Sequence, residues 1–208
     1  MSLSQLPFIE LLNAFRSREP TPGGGSASAL GGAVGASLLA MVAGLPKPRA
    51  QSTQETERLT VARARCAAIG DRLAALMDRD SRAYDLVVAA FRLPKSTEEE
   101  TTARGLRIQE ALRSATEAPL DVMRACAEAI GLAAAVAALG NRNASSDVQV
   151  GVELLRAGLR GAKLNVDVNL ASITDETFAA AVRREAEQLV VEGEGEASTA
   201  VSQLESER

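Results

Sequence analysis

The sequence predicts an all-α protein, a single-domain bundle of six to seven helices with a long central helix. Apolar residues recur every three or four positions along nearly the whole chain, which is the helical period. No segment has the alternation and flanking turn residues of a β-hairpin. The length of 208 residues suits one domain, which we assign to residues 1–208.

The first three helices are predicted from the breaks between them. A short helix covers residues 4–17, and a second covers residues 26–43 after a glycine segment. The segment GLPKPRA then interrupts the helical pattern, as proline and glycine usually do. Ser52 and Glu55 have the spacing of a capping box and open a long helix that reaches Phe91.

The remaining helices follow the break at RLPKST. Ser96 and Glu99 again have capping-box spacing and start a helix that ends near Thr116. Pro119 is expected in the first turn of the next helix, which ends near Leu139, because proline is tolerated at a helix start. Two further helices are predicted, over residues 147–170 and from SITDE to the segment EGEGEAS, where the last helix frays.

The composition excludes several classes of function. The chain has no histidine, so Ser-His-Asp catalysis, Cys-His catalysis and His-based metal sites are ruled out. Cys66 and Cys126 lack the spacing of metal ligands, and we expect small buried residues. A net charge of -4 and 2% aromatic residues disfavour binding to nucleic acid or to anionic membranes. No signal peptide is visible, so we expect a cytoplasmic protein. From the lack of histidine and of cysteine ligand spacing we expect no metal site.

The glycine segment PTPGGG opens a stretch with no charged residue between Glu19 and Lys47. No GK[ST] follows, so it is not a P-loop, and a dinucleotide fingerprint fails because Ser28 takes the place of the third glycine. The small-residue composition without aromatic belts disfavours a membrane span. Gly31 and Gly35 allow close helix approach, which favours a buried helix at a subunit interface. The N-H groups at its start could bind an anion.

A carboxylate interrupts the apolar side of the long helix. On a helical wheel Asp80 falls in the middle of that side, whereas Asp71, Asp78 and Asp85 fall opposite, where solvent is expected. An unpaired carboxylate on a buried stripe is costly, so Asp80 must have a partner or line a cavity. A structural Asp with a hydrogen-bonding or charged partner and an active-site carboxylate both remain open. The apolar side consists of Ile69, Leu73, Leu76, Met77, Tyr84, Val87 and Phe91.

The helix over residues 147–170 has a second unusual edge, which carries Asp147, Gly151, Gly158, Asn165 and Asn169. Glycine inside a helix costs roughly 1 kcal/mol relative to alanine and usually marks a close approach. The edge is therefore either a tight helix contact or the wall of a small-molecule site. The core side carries Val148, Leu155, Leu159 and Val166, and the solvent-facing side carries Arg156, Arg160, Lys163 and Asp167.

Three segments together resemble a known family: PTPGGGSASALGGAVGASLLAMVAGL, then DRDSRAYDLVVAAFRLPKSTEEETTARGLRIQEALRSATEAPL, and finally GNRNASSDVQVGVELLRAGLRGAKLNVDVNL. The sequence is similar to the cyclodeaminase/cyclohydrolase family of folate enzymes, in this order and over nearly the whole chain. That family includes formiminotetrahydrofolate cyclodeaminase and the stand-alone methenyltetrahydrofolate cyclohydrolase. The resemblance implies an all-helical homodimer that acts on the one-carbon bridge of tetrahydrofolate, with no metal or redox cofactor.

The resemblance also implies the site residues. Asp80 and Asp147 are the expected catalytic carboxylates. Asn141, Asn143 and Asn165 would orient the pterin or the bridge, and Lys95, with Arg92 and Arg104, would meet the glutamyl tail or form a solvated loop. The expected substrate contacts are Pro22, Gly23, Gly24, Gly25, Ser26, Lys95, Asn141, Asn143, Asn165 and Asn169.

The length and the LPKSTEEE match favour the cyclohydrolase, with the cyclodeaminase as the alternative. One segment departs from the family pattern. Members continue after the glycine helix with GK and a later tyrosine, whereas this chain has GLPKPRAQSTQE, so Lys47 or Arg49 would replace the lysine. This departure motivates a rival hypothesis, a catalytically weakened folate-binding homologue. A purely structural helical dimer is a third alternative.

Overall fold

The computed structural model describes residues 2–46 and 52–206, and these residues form helices without any β-strand. The predicted all-α class is therefore confirmed. Two short 3-10 turns cover Leu3–Gln5 and Arg142–Ala144. The described α-helices are α1 (Phe8–Phe15), α2 (Gly24–Gly44), α3 (Thr53–Phe91), α4 (Glu98–Leu139), α5 (Ser145–Leu170) and α6 (Glu176–Ser206).

The long helix α3 begins at its predicted capping box. The Glu55 N-H donates to Ser52 Oγ at 3.2 Å, and the Ser52 N-H donates to Glu55 Oε2 at 2.9 Å. The helix continues to Phe91, as expected. The second capping box lies one residue later than expected, because Thr97 and Glu100 make the reciprocal bonds and Ser96 precedes the cap. The assignment to Ser96 and Glu99 is therefore wrong.

The expected break near Thr116 is also wrong, because α4 is continuous and contains Pro119. Proline has no N-H, so the carbonyl four residues earlier loses its helical partner. That carbonyl belongs to Ala115, and it accepts a hydrogen bond from Asn169 Nδ2 of α5 at 2.7 Å. A side chain from a neighbouring helix thus satisfies the group that Pro119 leaves free.

The last helix does not fray at EGEGEAS but runs on to Ser206. Gly193 lies against α5, where an added Cβ would be 2.7 Å from Leu159 Cδ2. This glycine allows close packing, whereas Gly195 has no atom within 4 Å of an added Cβ. Arg156 and Arg160, on the side of α5 that was expected to face solvent, each form a salt bridge with Glu194 of α6 at 2.6 Å. Packing and ion pairs therefore hold α6 in place.

Helix α2 packs along α3 on one side and α5 on another, with α4 behind it and α6 against α4 and α5. Cys66 and Cys126 are buried free thiols in this core, as predicted. Burial raises the pKa of Cys66 to about 11 and that of Cys126 to about 12. Both cysteines are therefore small core residues with little thiolate character at neutral pH.

The predicted apolar side of α3 is buried only in the first part of the helix. Ile69, Leu73, Leu76 and Met77 are buried, but Tyr84 and Phe91 are 44% and 51% exposed. Helix α2 begins beside Asp80, so the last turns of α3 extend past it, and there Val87 packs partly against Ala115 and Ala118 of α4. Asp78 was expected in solvent and is only 7% exposed, because the N-terminal turn covers it.

Two helices, α2 and α4, are long and apolar enough to cross a membrane by length and composition alone. About half of each apolar window, 44% and 50%, is buried within the fold. Core helices of helical bundles have the same composition, so this property alone is weak support for a span.

Candidate active site

The glycine segment leads into the first turn of α2, with Gly23 as the N-cap residue. The first N-H groups of a helix have no partner within it, and they carry partial positive charge. One of them is used by Asp80 of α3. The Ser26 hydroxyl lies 2.9 Å from Asp80 Oδ2, and the Ser26 backbone N-H also donates to this carboxyl. The carboxyl of Asp80 is thus held at the start of α2.

The absence of a side chain at Gly25 makes this contact possible. A Cβ added there would overlap the Asp80 carboxyl, at 2.6 Å from Cγ and 2.7 Å from Oδ2. Real Cβ atoms essentially never approach other atoms this closely. Any residue larger than glycine at position 25 must therefore displace Asp80.

The environment of Asp80 changes its acidity. Burial raises the pKa of this carboxyl, and hydrogen bonds from the Ser26 hydroxyl and N-H oppose the change without cancelling it, so the net shift is upward. A raised carboxyl pKa favours proton exchange nearer neutral pH, which is useful in a group that must accept and return a proton. The sequence-based expectation that Asp80 has a partner or lines a cavity agrees with this geometry.

The glycine edge of α5 packs against α2 and ends at this site. An added Cβ would lie 3.1 Å from the Gly35 carbonyl oxygen at Gly151 and 2.8 Å from the Ser28 carbonyl oxygen at Gly158. The tight-contact interpretation is therefore correct for both glycines. At the end of the edge, Asn165 Nδ2 lies 3.5 Å from the position of a Cβ on Gly24.

The two asparagines of this edge differ in what they contact. Asn165 donates to the Gly161 carbonyl at 2.9 Å and lies beside the first turn of α2. Asn169 donates to Ala115 in α4, which gives it a structural contact. We call Gly24, Gly25, Ser26, Asp80 and Asn165 the Asp80 cluster.

Sequence reasoning missed one hydroxyl of this region. Ser81 Oγ lies 3.1 Å from Ser26 Oγ, so the two hydroxyls connect Asp80 to a neighbouring cavity of about 400 Å³. Ser81 directly follows Asp80 in the sequence, and that adjacency was the available signal. The cavity is lined by Ser2, Leu3, Thr21, Pro22, Asp78, Ser81, Arg82 and Asp85.

Sequence reasoning also missed Asp78, which fixes the N-terminal turn beside the cavity. Its carboxyl accepts from the hydroxyls of Ser2 and Ser4, both at 2.7 Å, and from the Leu3 N-H at 2.5 Å. Burial raises the pKa of this carboxyl, but these hydrogen bonds outweigh burial and the net pKa is lowered. No local pattern indicates the contact, because donors and acceptor lie about 75 positions apart.

Three candidate residues lie at the opposite end of α2. Asn141 Nδ2 donates to the Pro46 carbonyl at 2.6 Å, and the Asn143 N-H donates to Asn141 Oδ1 at 3.0 Å. Asp147 is half-buried in the first turn of α5. Because 21 residues of α2 span about 32 Å, these residues do not join Asp80 within one chain. We call Asn141, Asn143 and Asp147 the Asp147 cluster.

The basic candidates also lie away from Asp80. Lys95 and Arg92 are exposed in the connection between α3 and α4, and Arg104 donates to the Phe91 carbonyl at 3.0 Å. Lys47 and Arg49 lie outside the described residues. Among residues 2–46 and 52–206, no group of three acids or cysteines could hold a metal ion.

Comparisons with known proteins assign this arrangement to a family. Residues 7–188 match the family described as formiminotransferase-cyclodeaminase. The chain belongs to this family. A solved family structure, the formiminotetrahydrofolate cyclodeaminase of Thermotoga maritima, superposes with a TM-score of 0.87 at 27% identity, covering 98% of each chain.

Two relatives in the formiminotransferase-cyclodeaminase family differ in length. The methenyltetrahydrofolate cyclohydrolase of Methylorubrum extorquens is 41% identical over 181 residues, which cover 87% of each chain. The formimidoyltransferase-cyclodeaminase of Sus scrofa is 32% identical over 205 residues, or 99% of this chain. This chain spans only 38% of the Sus scrofa protein.

Proposed function

We propose that this protein is a methenyltetrahydrofolate cyclohydrolase, which converts 5,10-methenyltetrahydrofolate and water to 10-formyltetrahydrofolate. The observation that carries the proposal is the Asp80 carboxyl held against the first turn of α2, where Gly25 leaves no room for a side chain. The choice of substrate follows the likeness to the Methylorubrum extorquens enzyme over 87% of the chain.

The first chemical step is addition of water to the cationic bridge carbon. The ionised form of Asp80 stabilises the cation and accepts a proton from the attacking water as the C-O bond forms. The carbon then holds a hydroxyl group between two nitrogens. The N-H groups at the start of α2 favour charge that develops on this oxygen, because a helix N-terminus is partially positive.

The second step breaks one C-N bond of the adduct. Protonated Asp80 returns its proton to N5, which takes the electron pair of the breaking bond, and the hydroxyl loses its proton as the formyl C=O forms. The net reaction consumes one water and releases one proton. It involves no change of oxidation state, so the reaction needs no redox cofactor. The proposal also includes no metal.

The test is a direct assay with a matched control. Purified protein is expected to abolish the near-ultraviolet absorbance of methenyltetrahydrofolate, and Asp80→Asn should lower kcat by at least about 100-fold, the usual range for a general acid-base group. Asp71→Asn serves as the control, because Asp71 is an exposed acid on the same helix. An Asp80→Asn variant with the wild-type rate would exclude the proposed role of Asp80.

A second candidate function is formiminotetrahydrofolate cyclodeamination, which the likeness to the Thermotoga maritima enzyme over 98% of the chain favours. In that reaction N10 attacks the formimino carbon, and Asp80 gives its proton to the departing ammonia. Ammonia release from 5-formiminotetrahydrofolate distinguishes the two functions. Turnover of neither folate, combined with a folate-induced rise in Tm, would instead indicate a folate-binding homologue.

The proposal includes a homodimer formed through one exposed face of α2 and α5. Val34 and Met41 of α2 and Val150, Leu164 and Val168 of α5 are exposed there. We call this surface the α2–α5 face. Two packed helices of this length make a rectangle about 32 Å long and about 20 Å wide, so the two subunits would bury about 1,200 Å² in total, which reaches the range of stable interfaces.

Light scattering of the purified protein tests the dimer. Met41→Glu should shift the protein toward the monomer, because it places a charge within an apolar interface. Val191→Glu should leave the mass unchanged, since Val191 is exposed on α6, away from the α2–α5 face.

We also propose a cytoplasmic location, because free cysteines are usual in a reducing compartment.

A further inference from the structure

Two serine hydroxyls connect Asp80 to the cavity beside the N-terminal turn. Ser26 Oγ lies 2.9 Å from Asp80 Oδ2 and 3.1 Å from Ser81 Oγ, and Ser81 lies on the wall of the cavity. Ser26 is fully buried, whereas Ser81 is half-buried. The three groups therefore form a continuous hydrogen-bonded chain from the carboxyl to the cavity.

We propose that Ser26 and Ser81 relay protons between Asp80 and this cavity, with Ser81 as a positioning residue at the outer end. This inference rests on the proposed folate reaction, which releases one proton in each cycle. After Asp80 has returned a proton to N5, it accepts the proton that the hydroxyl of the adduct loses. Asp80 must pass that proton on before it can act as a base on the next water.

Each hydroxyl of the relay gains one proton and loses one. The O-H bond of protonated Asp80 breaks as Ser26 Oγ takes the proton. Ser26 gives its own proton to Ser81 Oγ, and Ser81 gives its proton to water in the cavity, which passes it to the buffer. Asp80 ends as a carboxylate and both serines end as neutral hydroxyls, so no electron is transferred and no other reactant is needed.

The surroundings of Ser26 suit a hydroxyl that changes its direction. A serine hydroxyl donates one hydrogen bond and accepts up to two. When Asp80 is ionised, Ser26 donates to it and accepts from Ser81, and when Asp80 is protonated the direction reverses. The Ser26 backbone N-H also donates to the carboxyl, so Asp80 stays in place. The Met77 carbonyl, 3.1 Å from Ser26 Oγ, is a further acceptor during the change.

The cavity lies on a different side of α3 from the reacting carboxyl. Successive helix residues are about 100° apart around the axis, so Asp80 is about 160° from Asp78 and from Arg82, and both of these line the cavity. Ser81 is about 100° from Asp80 and lies between the two sides. A proton that leaves through the serines therefore does not cross a folate bound against Asp80.

The cavity suits the water that receives the proton. Its volume of about 400 Å³ is that of several water molecules, at about 30 Å³ each. Two acids, Asp78 and Asp85, and one arginine, Arg82, line it, so its lining has a net negative charge that favours a proton. Asp85 is exposed there, one helical turn from Ser81.

Steady-state kinetics of Ser81 variants test the relay. Ser81→Ala should lower kcat for methenyltetrahydrofolate by about 10-fold, less than the ~100-fold expected for the acid-base group itself. KM should stay unchanged, because Ser81 acts through Asp80 and not on the folate. Ser81→Thr keeps the hydroxyl and should retain most of kcat. Ser198→Ala is the control and should keep the wild-type kcat, since that hydroxyl bonds to the Glu194 carbonyl within α6.

A small external base gives a readout that a purely structural role of Ser81 would not change. Imidazole can reach Ser26 through the space that the missing hydroxyl leaves. The kcat of Ser81→Ala should therefore rise with imidazole concentration at fixed pH and ionic strength, after the enzyme-free rate at each concentration is subtracted. The wild type should not respond, and neither should Asp80→Asn, which has no carboxyl to deprotonate.

The outcomes separate the relay from the folate reaction. A wild-type kcat in Ser81→Ala would overturn the relay and leave the folate reaction standing. A lowered kcat without a response to imidazole, or a raised KM that places the folate itself at Ser81, would overturn it as well. If the protein instead releases ammonia from 5-formiminotetrahydrofolate, the cyclohydrolase proposal fails. That reaction consumes a proton, so the same variants then test the relay in the inward direction. Turnover of neither folate would refute the proposed function and the relay together.

Discussion

The contact between Gly25 and Asp80 allows a prediction whose size can be worked out. In Gly25→Ala the new Cβ would lie 2.6 Å from Asp80 Cγ and 2.7 Å from Oδ2, where ordinary contacts are 3.4–4 Å. The carboxyl must therefore retreat by about 1 Å, and a displacement of that size can cost about 100-fold in rate. We expect kcat to fall by about 100-fold, equivalent to about 2.7 kcal/mol of transition-state stabilisation.

The same substitution should leave the protein folded. Alanine is favoured over glycine in a helix by about 1 kcal/mol, and overpacking costs about 1–3 kcal/mol. The free energy of unfolding should therefore change by no more than about 2 kcal/mol in total. Gly195→Ala in α6 is the matched control, since an added Cβ there meets no atom within 4 Å, and it should keep the wild-type kcat.

Two measurements on each variant decide the outcome. Steady-state hydrolysis of methenyltetrahydrofolate gives kcat, and thermal unfolding gives Tm. A folded Gly25→Ala protein with the wild-type kcat would show that the position of Asp80 against α2 does not limit the reaction. Loss of kcat in both glycine variants would point to a general effect of alanine on the bundle.

Three further predictions concern stability. Asp78→Asn should weaken the loss of stability below about pH 4 in urea unfolding, because a carboxyl with a lowered pKa stabilises the fold above its unfolded pKa and ceases to do so as the pH falls through its folded pKa; an unchanged acid profile would contradict this. Asn169→Ala should lower the free energy of unfolding by about 1–3 kcal/mol, and by less in a Pro119→Ala background, where a backbone N-H can replace the amide; equal costs in a double-mutant cycle would argue against the contact. In α6, Gly195→Ala should raise stability by about 0.5–1 kcal/mol, whereas Gly193→Ala should lower it because its Cβ meets α5, and equal Tm changes would refute the packing role of Gly193.

Local sequence determined the helices better than it determined their caps. The capping box of α3 was correct because one Ser-x-x-Glu spacing precedes that helix. In STEEE two overlapping spacings, Ser96 with Glu99 and Thr97 with Glu100, satisfy the same pattern. The structure uses the second. Nothing in the local pattern favours one of them, so an error of one residue is expected there.

Tertiary contacts account for the larger errors. Pro119 normally indicates a helix boundary, and α4 continues through it because Asn169 from another helix satisfies the freed carbonyl. Asp78 fell on the expected solvent side because a wheel does not include the N-terminal turn that covers it. The unusual position of Asp80 was identified correctly, since a carboxylate in the middle of an apolar helix side is visible from the sequence of that helix alone.

The composition of α2 has a physical explanation only if both of its sides are covered. A helix that is apolar all round is normally buried on every side, and α2 contains no charged residue. Within one chain, α3, α4 and α5 cover its inner side, where Gly25 and Gly35 allow close contacts. Its outer side, with Val34 and Met41, remains exposed. A partner helix of the same sequence would cover that side.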